Sequence, residues 1–214
     1  MSDALTFDPV KHVYTMGATR LPSVTQILGI IAKPHLLAWY GRFGTAECNR
    51  MRDEAALYGT RCHALAELVA LHGVEAFEPT GAEPDLQAFG GVYLSWFNAN
   101  VKRVLFCEAR LVSTVHMVAG SVDLIAELVD GSVAAIDLKT GSSVDDVSAL
   151  QLAAYGRMAL EQHGIQTNRR LIIHAPRKTP GQLDVVEYPA EDEPDAWRLF
   201  LCALLLHRKF GGKK

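Results

Sequence analysis

The 214-residue chain is predicted to form an α/β fold, a sandwich in which a mixed central β-sheet is flanked by α-helices. Three observations carry that expectation. Helical periodicity fills residues 34–72; after residue 102 the apolar period becomes that of strands, in three consecutive runs; a helix, two more strands and a closing helix then follow. The balance of 49% hydrophobic and 21% charged residues is that of an ordinary globular chain. At this length one core buries roughly 70% of the surface that the unfolded chain exposes, so residues 1–214 are expected to form one domain.

Taken in order, residues 5–28 alternate apolar and polar around a Met16-Gly17-Ala18 turn, which predicts a short hairpin. Pro22-Ser23 then starts a helix carrying Ile27, Leu28, Ile30 and Ile31, with Ser23 or Thr25 as its cap. Residues 34–72 read as helical throughout and Gly73 ends them; EPTGAEPD is a loop; Pro84-Asp85 opens a helix running to about Lys102. The β-rich runs are VLFCEARLVST, HMVAGSVDLIAEL and SVAAIDLKT, and Asp130-Gly131 marks a hairpin between the last two. Helical spacing returns from Val147 to His163, RRLIIHAP and LDVVEYP read as strands, and residues 191–209 form the last helix.

Composition excludes some classes of function. A net charge of −3 argues against nucleic-acid affinity spread over a uniformly basic surface, though not against a local basic groove. Cys48, Cys62, Cys107 and Cys202 form no C-x-x-C pair, so neither a zinc ribbon nor a dithiol redox site is encoded. The first ten residues lack a basic-then-apolar signal, and the longest apolar run, Leu199 to Leu206, is far below the ~20 residues of a membrane helix. The expectation is a cytoplasmic protein.

The chemistry is concentrated on the second and third strands. Side chains at i and i+2 share a strand face, so Asp137 and Lys139 point together while Leu138 faces the core. The hairpin can bring Asp123 beside Asp137, and Gly120 leaves room for a close approach just before it. Two carboxylates ~4 Å apart repel by about 4 kcal/mol at an effective dielectric of 20, which a divalent cation relieves; magnesium suits such oxygen donors. A bare D-x-K could equally be an exposed salt bridge on a strand. Here Val133 to Ile136 and Leu138 make its surroundings apolar, and charges placed in such a run ask for a functional account.

These residues resemble the PD-(D/E)XK nucleases, specifically their RecB-like branch. Asp123 matches the first acidic position within G-x-x-D, and Asp137-Leu138-Lys139 matches D-x-K, followed by Thr140-Gly141. Gln151 and Tyr155 match a Q-x-x-x-Y motif whose spacing puts both on one helix face. Gly59-Thr60-Arg61-Cys62-His63 resembles the upstream G-x-x-x-H helix, and Glu108 an additional acidic position. The opening residues 11–28 are similar to those of phage-type and mitochondrial genome maintenance exonucleases. The resemblance implies a restriction-endonuclease-like fold, with residues 1–102 a mainly helical part, 103–190 the catalytic core, and 191–214 a helix and basic tail.

It further implies a metal held by His63, Asp123, Asp137 and the Leu138 carbonyl, with Lys139 positioning the nucleophile and Glu108, Gln151 and Tyr155 assisting. Mg²⁺ is the implied cofactor and Mn²⁺ its substitute. Relatives that carry an iron–sulfur cluster have closely spaced C-terminal cysteines, whereas Cys202 stands alone, so no cluster is expected. Glu67 shares the face of His63 and can orient it. Read singly, each residue has a plainer role: His63 in a core, Glu108 paired with Arg110, Gln151 and Tyr155 packing a helix on a sheet.

A phosphodiester substrate must be held by cations. Arg50, Arg52 and Arg61 approach His63 along the sequence, and with Tyr155 are the expected nucleic-acid contacts. Arg42, Arg169-Arg170, Arg177-Lys178 and Arg208-Lys209 are further clusters; Trp39, Tyr40 and Phe43 can stack on bases or simply pack. The function implied is a metal-dependent DNA exonuclease of recombination, repair or phage DNA processing. Its partners would be DNA, ends preferred, and a recombination or replication protein. Alternatives are a catalytically silent binding module of the same fold, or a structure-specific endonuclease.

Overall fold

In the computed structural model, residues 4–31, 34–73 and 83–211 are described. The chain opens with three short antiparallel strands, β1 (Leu5–Asp8), β2 (Val13–Met16) and β3 (Thr19–Leu21), rather than a single hairpin. The second turn was hidden in polar sequence: the Asp8 carboxylate accepts from the Val10 and Lys11 amides, each at 3.0 Å, and folds the chain back. Of the two expected caps, Ser23 is the one that caps α1 (Val24–Leu28), and Gln26 completes a capping box with it. The helix stops at Gly29, the weakest helix former short of proline, so Ile30 and Ile31 lie beyond it and pack on the core instead.

The expected continuous helix over 34–72 is two helices, α2 (Pro34–Phe43) and α3 (Thr45–His72). Gly44 breaks it with φ 76°, a conformation that glycine adopts without strain and that no helix contains. The predicted loop EPTGAEPD falls largely outside the described residues. Next, α4 (Pro84–Asn100) begins with its proline in the first turn and hands over directly to β4 (Val101–Ser113), two residues earlier than expected. There the Asn100 carbonyl accepts from the Val129 amide, which ties the helix end to the neighbouring strand.

The main sheet continues with β5 (Val118–Leu128), β6 (Val133–Lys139), β7 (Arg169–His174) and β8 (Asp184–Tyr188), adjacent in that order. Only β6 and β7 are parallel, and α5 (Val147–His163) makes the crossover they require. A short 3₁₀ turn, Ala190–Asp192, leads into α6 (Glu193–Phe210). The sheet is mixed and covered by helices on both faces, as predicted. Leu124, Ile136 and Leu138 pack beneath α3 and α4, whereas Val122 and Ile125 pack beneath α1, α5 and α6. No helix among the described residues is long and apolar enough to cross a membrane.

One irregularity in this sheet positions the site. Residues 122 and 124 should share a face, yet Val122 belongs to the α5 side and Leu124 to the α3 side. Strand β4 slips in the same way, with Cys107 on the α3 side and Ala109 on the α5 side. The register does not change: Cys107 faces Leu124 and Ala109 faces Val122. Both strands therefore change phase at the intervening rung, formed by Glu108 and Asp123. Glu108 takes φ 46°, a left-handed conformation uncommon for a residue with a Cβ, and the surrounding pairs hold it there.

Candidate active site

The phase change turns Glu108 and Asp123 toward His63, which α3 lays across the sheet. The imidazole Nδ1 stands 3.5 Å from Asp123 Oδ2 and 3.7 Å from Glu108 Oε1. One donor atom from each of the three lies within 4.8 Å of the others, a spacing at which a single cation could be shared. Gly59, one helical turn before His63, lets α3 approach the end of β6: a Cβ there would stand 3.1 Å from Thr140 Oγ1.

Asp123 is also fixed from β6. The antiparallel ladder is regular up to Leu124 and Ile136; beyond that pair, the amide of Leu138, two residues past Ile136, donates to Asp123 Oδ2 at 2.8 Å. A side-chain carboxylate thus replaces a backbone carbonyl at the end of the strand pair. Burial first, then the Asp137 charge, push the Asp123 carboxyl up to about 7. For His63, burial disfavours the charged ring, but the Glu108 hydrogen bond and the charges of Asp123, Glu108 and Asp137 outweigh it, and its pKa is raised. This concentration of negative potential is what a divalent cation neutralises.

Asp137 and Lys139 share a face as their spacing requires, and Leu138 enters the core. Lys139 Nζ is 2.7 Å from Asp137 Oδ2, and the Asp137 side chain is only 3% exposed. Among the described residues Asp137 stands outside the His63–Glu108–Asp123 group and bears on it through its charge. Lys139 Nζ also donates to Gln151 Oε1 at 3.1 Å, and Gln151 Nε2 donates to the Tyr155 hydroxyl at 3.2 Å. The Q-x-x-x-Y pair therefore forms a relay that aims the ammonium. Tyr155 is 2% exposed, and burial raises its phenol well above the usual range, so it stays neutral. The tyrosine expected to touch nucleic acid is placed instead beneath the site.

Gly120 has a visible reason. A Cβ there would stand 2.8 Å from Tyr155 Cε1 and 3.3 Å from Val24 Cγ2. Gly120→Ala should displace the Tyr155 ring and cost about 1–3 kcal/mol, read as a lowered urea midpoint. An unchanged midpoint would mean that the ring has room to move.

Two clefts flank these groups. One, of about 520 Å³, is bounded by Ala55, Ala56, Gly59, Thr60 and Ala64 of α3 and reaches His63, Glu67, Glu108 and Thr140. The other, of about 300 Å³, lies on the Lys139 side between α1 and the start of α5, where it meets Ser143, Ser148 and Gln151. A third cavity, about 210 Å³ between α5 and Arg170, holds none of the site residues.

The expected arginine contacts are on the surface but already paired. Arg50 binds Glu47 and Glu54, both at 2.5 Å; Arg52 binds Asp53 at 3.1 Å; Arg61 binds Glu83 at 2.6 Å. Exposed pairs of this kind are worth ~0–1 kcal/mol, so a phosphate can compete for them. Arg110 does not pair with Glu108; its guanidinium lies over Phe7. Trp39 meets Tyr40 and Phe43 edge-on. Lys213 and Lys214 lie outside the described residues.

His174 and Tyr188 had no expected role near the site. His174 Nε2 pairs with the Gly141 carbonyl at 2.9 Å, and the Tyr188 hydroxyl donates to the Asp145 carbonyl. Both pin the loop after Lys139. The register of β7 and β8 beside β6 could have pointed to them, but strand pairing is not written in either strand alone.

The family model described as the PD-(D/E)XK nuclease superfamily matches residues 61–209. Among solved structures, SSO0001 is similar with a TM-score of 0.40 and 14% identity, over 86% of this chain and 75% of that one. A candidate exonuclease from Eubacterium rectale is similar with a TM-score of 0.45 and 11% identity, over 72% of this chain and 67% of that one. No curated protein matches the chain.

Proposed function

The chain belongs to the PD-(D/E)XK nuclease superfamily, and from that premise we propose that it is a Mg²⁺-dependent deoxyribonuclease that degrades DNA from its ends. The observation that carries this reading is the rung at which β4 and β5 both change phase, which sets Glu108 and Asp123 against His63, next to the Asp137–Lys139 pair.

The donor set fits a hard divalent cation. Two carboxylates and an imidazole offer atoms within 4.8 Å of one another, and the burial and, after it, the Asp137 charge that lift the Asp123 carboxyl are the cost such an ion would offset. His63, Glu108 and Asp123 would hold it, with Asp137 and the Leu138 carbonyl extending the set from β6. When bound, the ion supplies a water of lowered pKa and offsets charge on the phosphoryl oxygens. The chain's own groups do the rest. Lys139, aimed by Asp137 and Gln151, orients the attacking water and donates to the phosphate. The neutral Tyr155 hydroxyl holds the Gln151 amide in the orientation that Lys139 needs. DNA recombination, repair or phage DNA processing is the setting in which such an activity would serve.

Purified protein incubated with end-labelled linear DNA and with circular DNA tests the reading. Expected are Mg²⁺-dependent release of labelled nucleotides from the linear substrate, inhibition by EDTA and persistence of the circle. Saturating Mg²⁺ at about 100 Kd should add about 2.7 kcal/mol of stability by mass action, seen as a raised Tm. No cleavage of either DNA sinks the nuclease reading, and equal cleavage of both sinks the exonuclease part of it.

A further inference from the structure

The wider cleft poses an electrostatic problem for a polyanion. Its described lining carries Glu67, Glu108 and His63 but neither lysine nor arginine, and at Arg50, Arg52 or Arg61 a phosphate must first displace a carboxylate held at 3.1 Å or less. A strand drawn toward His63 needs a cation at the lip.

Arg177 is tied by its backbone to one wall of that cleft. Beyond β7 the chain keeps running beside the end of β6: the Ala175 amide donates to the Lys139 carbonyl at 2.9 Å, and the Arg177 amide to the Thr140 carbonyl at 3.2 Å. Thr140 is itself a wall of the cleft. The guanidinium lies 5.9 Å from the ring centroid of Tyr58 on α3, a platform that holds its plane while the side chain remains 43% exposed. Its carboxylate neighbour is distant: Glu54 Oε2 is 3.8 Å away, and Glu54 Oε1 is taken by Arg50 at 2.5 Å. Arg177 is thus a cation oriented by an aromatic ring, fixed by its backbone to the strand that carries Lys139, and only loosely neutralised.

We propose that Arg177 is a substrate-positioning residue that grips a DNA backbone phosphate at the mouth of the cleft, next to the phosphate that is cut. This rests on the nuclease reading above. The planar fork suits two phosphate oxygens at once, which a lysine ammonium cannot reproduce. The contact is to backbone and carries no base preference.

Kinetics on end-labelled single-stranded DNA with Mg²⁺, and binding of the same DNA in EDTA across a salt series, test the assignment. Arg177→Ala should raise KM by roughly 10-fold or more and leave kcat within about 3-fold, as lost charge-assisted contacts do. The slope of log affinity against log salt should become shallower by about 0.7, one phosphate contact on a single strand. Arg177→Lys should keep the slope and recover only part of the KM. Arg198→Ala, which breaks a surface pair with Asp195, should change neither. Circular dichroism melts of all variants separate folding from binding. Wild-type cleavage with Arg177→Ala matching it in KM and slope overturns the assignment alone; a wild type that neither binds nor cuts DNA overturns the nuclease reading with it.

Discussion

Lys139→Ala should lose both cleavage and stability, and the two losses separate in a second variant. The ammonium stands 2.7 Å from Asp137 Oδ2, and the Asp137 side chain is 3% exposed. Removing the partner leaves a buried carboxylate uncompensated, at a cost of about 3–5 kcal/mol for a fully buried pair. Because Lys139 is itself 33% exposed, solvent screens part of that, and about 2–4 kcal/mol is expected in urea unfolding. Cleavage should fall by about 10²–10⁴-fold, the range for losing a positioned proton donor. The double variant Asp137→Asn/Lys139→Met removes both charges and should regain most of the stability while remaining inactive. If the double variant is as unstable as the single one, the pair is not what the alanine lost. If Lys139→Ala cleaves DNA at the wild-type rate, the proposed mechanism is wrong.

Asp123→Asn should move the other way in stability. The carboxyl is pushed from its ordinary 3.8 to about 7 by burial and by Asp137. Between those values the folded chain binds a proton that the unfolded chain has released, so metal-free stability falls as pH rises from about 4 to 7 and levels off above. The loss is at most roughly 4 kcal/mol, and less because the side chain is 21% exposed. Asparagine keeps an acceptor for the Leu138 amide without the charge. The metal-free variant should therefore be about 1–3 kcal/mol more stable than wild type at pH 8, with a flatter pH profile. It should also lose the Mg²⁺-induced rise in Tm and at least about 10³-fold in cleavage, the worth of several kcal/mol at a metal ligand. A metal-free variant that is less stable than wild type at pH 8 would show that the carboxylate supports the fold rather than burdening it.

The two variants differ because the two aspartates are compensated differently. Asp137 has a cation from its own strand, two residues away, and that pairing follows from the strand period. Asp123 has only an amide and a half-buried histidine, so its charge stays a cost until an ion arrives. Stability given up at a functional rung is common where the site must bind something the bare fold lacks.

How legible these features were depends on how far apart in the chain the interacting groups lie. Gln151 and Tyr155 bond to each other as their i, i+4 spacing requires, and of the two expected caps, Ser23 and Thr25, it is Ser23 that caps α1. The succession of strands and helices along the chain, the hairpin at Asp130-Gly131 and the limits of α5 were likewise readable from residues a few positions apart. The break at Gly44 was missed because apolar residues on both sides keep the helical period, and one positive φ was enough to interrupt it. The second N-terminal turn was missed because a carboxylate bonding its own following amides leaves no mark on the apolar pattern.

The amino-acid sequence by itself determined the element types, the shared face of Asp137 and Lys139, and the shared face of Gln151 and Tyr155. Each of these rests on backbone geometry repeated every two or 3.6 residues, which any observer of the chain can count. Only the tertiary structure decided the rest. It turned Glu108 out of phase to face His63, coupled Asp123 to the amide of Leu138, sank Tyr155 beneath the site and left Arg177 loosely paired beside Thr140. Those placements join residues 15 to more than 100 positions apart, and they exist only once α3 and the sheet have packed together, because packing fixes which charges are desolvated and which find a partner.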